Sequence, residues 1–214
     1  MRDDDLYRGR RASVEAARSK RRGSRVGAVI GLVAIAGGAG FILGDQVTGD
    51  DSASSTSSDA TTSSNPAAAS ALLQRATEAH VAGKLADARA LYIQVIQANP
   101  ENHFAYYNLG LIDQTNGDAK SAADEYRLAL EIEPEYAPAL FNLGILRAEA
   151  NATDEAIALY RRAVESDPSF ARAHYNLGLL LRTTGKNDEG DAAIARAIEL
   201  DGSLAAPPTT TAAP

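Results

Sequence analysis

A four-residue phrase recurs at an interval of 34 residues: Tyr107-Asn108-Leu109-Gly110, Phe141-Asn142-Leu143-Gly144 and Tyr175-Asn176-Leu177-Gly178. A fixed period of this length specifies supersecondary units that cannot bury their apolar faces alone and must stack to complete a core. Within one unit the apolar residues recur at helical spacing, first Tyr107 and Leu111, then Ala122, Tyr126, Ala129 and Leu130. Each unit therefore holds two helices. Between them lies Asn116-Gly117-Asp118, where glycine can take positive φ; Gly185 holds that place in the last unit and Asn151-Ala152-Thr153 in the third. Asn99-Pro100, Glu133-Pro134 and Asp167-Pro168 close the second helices, because proline disfavours helical geometry in the residue before it. Small residues fall where the two helices of a hairpin must approach: Gly110, Gly144 and Gly178 on the first, Ala88, Ala122 and Ala156 on the second.

This combination of Leu-Gly on the first helix, Ala and an aromatic on the second, and a closing proline resembles the tetratricopeptide repeat (TPR) family. The resemblance implies an all-α fold, a TPR-like α-solenoid of about four helical hairpins. In that frame the repeat domain spans 69–204, with units near 69–102, 103–136, 137–170 and 171–204. The outer units depart from the pattern. Ala76 and Gln74 replace glycine and asparagine in the first, and Gly190 and Gly202 replace alanine and proline in the last. Glycine costs about 1 kcal/mol against alanine in a helix interior, so the last helix is expected to fray.

The flanks have other compositions. Residues 26–44 are uncharged and largely apolar, within the window of roughly 17 to 25 residues for a transmembrane helix. Before them, residues 1–25 carry a net charge of +5; the remainder of the chain carries −12, which the overall −7 conceals. The positive-inside rule makes 1–25 a cytoplasmic arm, read as a lipid-surface anchor, and sends the repeats across the membrane. The expectation is a single-pass plasma-membrane protein with an extracytoplasmic TPR domain; the alternative is secretion after cleavage of the apolar segment. Residues 45–68, rich in Ser, Thr and Asp, read as a disordered linker, and 205–214 as a disordered Pro/Thr tail. With no cysteine, no disulfide can staple the fold. Gly27 and Gly31, and Gly40 and Gly44, have the spacing of close transmembrane helix pairs.

In the TPR family ligands lie in the concave groove lined by the first helices. The positions that correspond form three rows: aromatic Tyr107, Phe141 and Tyr175; amide Asn108, Asn142 and Asn176; apolar Leu111, Ile145 and Leu179. Asparagine offers both donor and acceptor to an extended backbone, and the triple Asn resembles the ladder of O-linked N-acetylglucosamine transferases. The lysines of the family's carboxylate clamp are replaced by Leu73, Thr77, Tyr107 and Leu111, leaving Arg172 and Arg182 as the nearby cations. Asp113 and Arg147 occupy equivalent places in adjacent units and are expected to form an inter-repeat ion pair. The acidic repeats argue against nucleic acid as ligand. His80, His103 and His174 fall in different units without metal-ligand spacing, and no nucleophile or phosphate loop is nominated. The reading is a membrane-anchored, non-enzymatic adaptor, without metal or cofactor, that binds a peptide or partner subunit. The alternative is a homo-oligomeric scaffold assembled through the last repeat and the transmembrane helix.

Overall fold

A computed structural model describes residues 3–30 and 66–205. Among the described residues the elements are α1 (Asp3–Ile30), α2 (Pro66–Val81), α3 (Leu85–Ala98), α4 (His103–Thr115), α5 (Ala119–Ile132), α6 (Ala137–Glu149), α7 (Thr153–Ser166), α8 (Ala171–Thr183), α9 (Asn187–Leu200) and a closing 3-10 turn (Gly202–Leu204). Helices α2 and α3, α4 and α5, α6 and α7, and α8 and α9 form hairpins, and each second helix packs on the first helix of the next unit. Helix α2 begins at Pro66, inside the range assigned to the linker. The expected transmembrane segment lies outside the described residues beyond Ile30, as do linker residues up to 65 and the tail from 206. Among the described residues no helix is long and apolar enough to cross a membrane.

The punctuation works as the sequence specifies. The hairpin turns carry positive φ at four positions in one register, Gly83 (71°), Gly117 (80°), Asn151 (59°) and Gly185 (81°). Asparagine substitutes for glycine in the third because its short polar side chain tolerates the left-handed region. Helices α3, α5 and α7 end at Ala98, Ile132 and Ser166, each just before its X-Pro pair. Asn102 and Asp118 accept the backbone N–H of Ala105 and Ser121, capping α4 and α5.

The core runs along the hairpin interiors, with Tyr92, Tyr126 and Tyr160 buried on successive second helices. Opposite the last two stand the glycines of the repeated phrase. A Cβ on Gly110 would lie 2.5 Å from the Tyr126 ring, and one on Gly144 would lie 2.6 Å from the Tyr160 ring. The fourth hairpin solves the same problem differently: Ile194 replaces tyrosine, and a Cβ on Gly178 would meet the Gly190 carbonyl oxygen at 2.6 Å. Gly190, read as a weak point, is buried and allows α8 and α9 to approach backbone to backbone. Helix α9 is continuous to Leu200, and Asp201 then accepts from the Ser203 N–H and hydroxyl to form the closing turn.

Two sequence expectations meet a different arrangement. Asp113 pairs with Arg89 of α3, whereas Arg147 reaches Glu155 at 3.9 Å, so the proposed Asp113–Arg147 pair is not formed. Asp113 takes the cation presented one unit back on α3, and Arg147 the carboxylate presented across its own hairpin on α7. The basic arm, read as a lipid-surface element, is the helix α1 and lies along α5. Val14 is buried in the cluster containing Tyr92, Tyr106 and Leu128, with Tyr7 packed beside it. Arg10 pairs with Glu125, and Arg11 reaches Glu131 at 3.3 Å. Opposite net charges on arm and repeats, with apolar Tyr7 and Val14 two helical turns apart, give the contact its physical basis. A single pass through 26–44 would put arm and repeats on opposite sides of a bilayer. Within one chain, that topology and the docked arm exclude each other.

Candidate functional site

The 34-residue register places the nine expected groove residues on corresponding surfaces of α4, α6 and α8, but their environments differ. Tyr107 packs edge to face on Tyr136, with ring centroids 5.2 Å apart, and Phe141 lies 4.8 Å from Phe170. Phe141 is only 4 % exposed, so it forms a floor beneath the surface; the other eight are at least partly exposed. Leu111 and Ile145 lean on the core clusters between hairpins, while Leu179, in the last of the described repeats, is 41 % exposed.

The amide row is engaged in structural bonds. Asn142 donates to the Tyr107 hydroxyl at 3.2 Å, linking the second and third repeats. Asn176 donates to the Tyr160 hydroxyl at 3.5 Å, and Asn108 donates to the Phe104 carbonyl of its own helix at 2.7 Å. Each amide spends one N–H in this way. An asparagine side chain has two donor hydrogens and two acceptor lone pairs, so hydrogen-bonding capacity remains for a ligand.

Three of the nine residues converge in one pocket of about 290 Å³, where Tyr107, Phe141 and Asn142 meet Pro138, Asp167, Phe170 and Arg172. Asn108, Leu111, Ile145, Tyr175, Asn176 and Leu179 do not line it. The Arg172 guanidinium carbon stands 5.4 Å from the Phe141 centroid and 5.7 Å from that of Phe170, a double cation–π arrangement that fixes the charge at the rim. Burial pushes the Tyr107 hydroxyl pKa up, opposed by the Asn142 bond and by Arg172. Across the pocket Asp167 is held below its ordinary value by the Ser169 hydroxyl and N–H. Tyr136 and Phe170 escaped the sequence reading, although they stand 34 residues apart immediately before the first helices. That register was the signal that could have found them.

Chemically the pocket offers aromatic walls, one amide, one oriented cation and the Asp167 carboxylate, a set suited to binding a peptide group. The histidines are dispersed: His80 packs edge-on to Tyr92, His103 on Tyr136, and His174 lies 3.1 Å from the Pro168 carbonyl oxygen. Among the described residues no group of histidines and carboxylates could hold a metal ion.

Helical hairpins stacked at this period, with an aromatic and amide first-helix face, define a TPR-type solenoid, a fold typical of protein-interaction modules. The profile of the cilia and flagella-associated protein 70 middle TPR-like domain matches residues 72–201, and the chain belongs to that TPR-like family. Among solved structures it is similar to MamA, at 24% identity over 65% of this chain and 81% of that one, with a TM-score of 0.56. YrrB, described as a TPR protein with an unusual peptide-binding site, is similar at 24% identity over 65% of this chain and 73% of that one (TM-score 0.53). A K341M mutant of the Thermobaculum terrenum O-GlcNAc transferase is 30% identical over 54% of this chain, with a TM-score of 0.50. That likeness covers 22% of the transferase chain. No curated protein sequence matches the chain.

Proposed function

We propose that the chain is a membrane-attached adaptor, held by residues 26–44, whose first-helix groove takes an extended peptide or a segment of a partner subunit. The observation that carries this reading is the pocket in which Arg172 is fixed over Phe141 and Phe170 beside the Asn142 amide. A ligand segment would lay an apolar side chain against Tyr107 and Phe170, satisfy its backbone on the asparagine row, and direct an acidic group to Arg172. In this reading the plasma membrane carries the anchor and the repeats face away from the cytoplasm, as the charge asymmetry about 26–44 favours, with the arm undocked from the repeats once 26–44 spans the bilayer. Protease access to the repeats in intact cells tests that sidedness; repeats that stay protected until the cells are opened would contradict it.

Because Phe141 is buried, the groove is best tested at its rim. Arg172→Ala combined with Asn108→Ala in the full-length chain should abolish recovery of bound partners while leaving the helical circular dichroism unchanged. Unaltered recovery would count against the groove. The scaffold reading draws on the exposed Leu179 at the open end of the solenoid. It predicts instead that the mass of the purified chain rises with concentration.

A further inference from the structure

A separate acidic surface lies away from the groove. Between α3, α4 and α5 lies a pocket of about 210 Å³ whose repeat-domain wall includes Asp113, Asp118, Asp124 and Glu125, with Arg89 as its cation. Arg10 of α1 enters it and pairs with Glu125; burial lowers the Arg10 pKa, and the nearby Asp113 opposes that shift. Two further contacts fix the helix along α5. Val14, 1 % exposed, is buried in one cluster with Tyr106 and Leu128, and Arg18 donates to the main-chain carbonyls of Glu131 and Ile132. The socket thus reads one arginine, one apolar side chain one helical turn beyond it, and a second arginine one turn further on.

We propose that this acidic socket is the binding site of the chain's own basic N-terminal helix, and that docking there withholds the helix from anionic lipid. The residues involved support mutual exclusion. A basic helix lying on a bilayer inserts its apolar face and sets its cations on the headgroups. Tyr7 and Val14 are among the apolar residues of α1 that would insert, and both are packed against the repeats. Docking is also imperfectly satisfied: Glu125 uses Oε1 on Arg10, while its Oε2 and the Tyr106 hydroxyl are buried without hydrogen-bond partners. Buried polar groups left unpaired cost stability, so the contact is poised for release and not locked. This inference is independent of the groove and does not require it to bind anything; it concerns the chain whose 26–44 segment has not crossed a bilayer, because a crossing would separate arm from repeats.

The absence of cysteine makes the test direct. Cysteines are introduced at Arg11 and Glu131, which meet at 3.3 Å at the rim of the contact, and the full-length chain is treated with a short bifunctional maleimide. In neutral detergent micelles the proposal predicts an intramolecular crosslink. Its yield should fall at least fivefold when phosphatidylserine is mixed into the micelles, and phosphatidylcholine should leave it unchanged. Arg10→Glu, which lies on the arm and leaves the repeats intact, should lower the yield as strongly without lipid; adding Glu125→Arg to it should restore the crosslink. No intramolecular product in neutral micelles, only crosslinked dimers, or a yield indifferent to phosphatidylserine would overturn the proposal.

Discussion

Asn142 donates its side-chain N–H to the hydroxyl of Tyr107 at 3.2 Å, a bond that crosses from the third repeat to the second inside the candidate groove. One asparagine thus joins two repeats while the rest of its amide faces the ligand pocket. The bond predicts a coupling energy of about 0.5–1.5 kcal/mol between Asn142→Ala and Tyr107→Phe, as for an ordinary intramolecular hydrogen bond. Urea unfolding of the single and double variants measures it. Strict additivity would mean that the two side chains do not act together.

The glycines of the repeated phrase should not be equivalent to those of the turns. Gly117→Ala meets open space and is penalised only by its φ of 80°, so about 1 kcal/mol is expected. Gly144→Ala drives a methyl group to 2.6 Å from the Tyr160 ring and should cost about 1–3 kcal/mol. Gly178→Ala should be the most damaging, because its obstacle includes the Gly190 backbone, which cannot rotate away as a ring can. Thermal unfolding of the three variants tests that order, and a Gly178→Ala chain as stable as the wild type would refute the close approach of α8 and α9.

Asp118 caps α5 through the Ser121 N–H, and that bond is the main cause holding its carboxyl below the ordinary 3.8. A carboxylate with a depressed folded-state pKa stabilises the fold above its unfolded value and loses that contribution as the pH falls through the folded one. Asp118→Ala should therefore cost about 1 kcal/mol at neutral pH, the usual worth of an N-cap. The gap between variant and wild type should close as the solution is acidified below the ordinary carboxylate range. A gap that persists at low pH would show that Asp118 acts through something other than its charge.

The fold was readable because its determinants are local and periodic. Gly117, Asn151 and Gly185 fix turns whatever surrounds them, and Pro100, Pro134 and Pro168 stop helices through their own covalent geometry. The groove was partly readable: the phrase located Tyr107, Phe141 and Asn142, but their burial and mutual bonds depend on Tyr136 and Phe170, which enter from the loops between hairpins. Ion pairing was not readable from register alone. Asp113 and Arg147 share a repeat position, yet each finds its partner by side-chain reach, Arg89 in one case and Glu155 in the other. Nor was the docking of α1, since a run of arginines offers the same charge to a lipid surface and to Glu125 and Glu131. Only the apposition of Val14 with the Tyr106 cluster distinguishes them.

The groove reading is tested most directly by site-specific photo-crosslinking from the full-length chain in its native membrane. A photoreactive residue at Asn108 or Asn176, on the first-helix face, should capture a discrete protein partner, and the capture should weaken when Arg172→Ala is added. The same residue at Ala158 or Glu165, exposed on the second helix of the third repeat, should capture nothing above background. Partners captured from Ala158 or Glu165 but not from Asn108 or Asn176 would place recognition on the opposite face and contradict a groove that binds through its aromatic and asparagine rows.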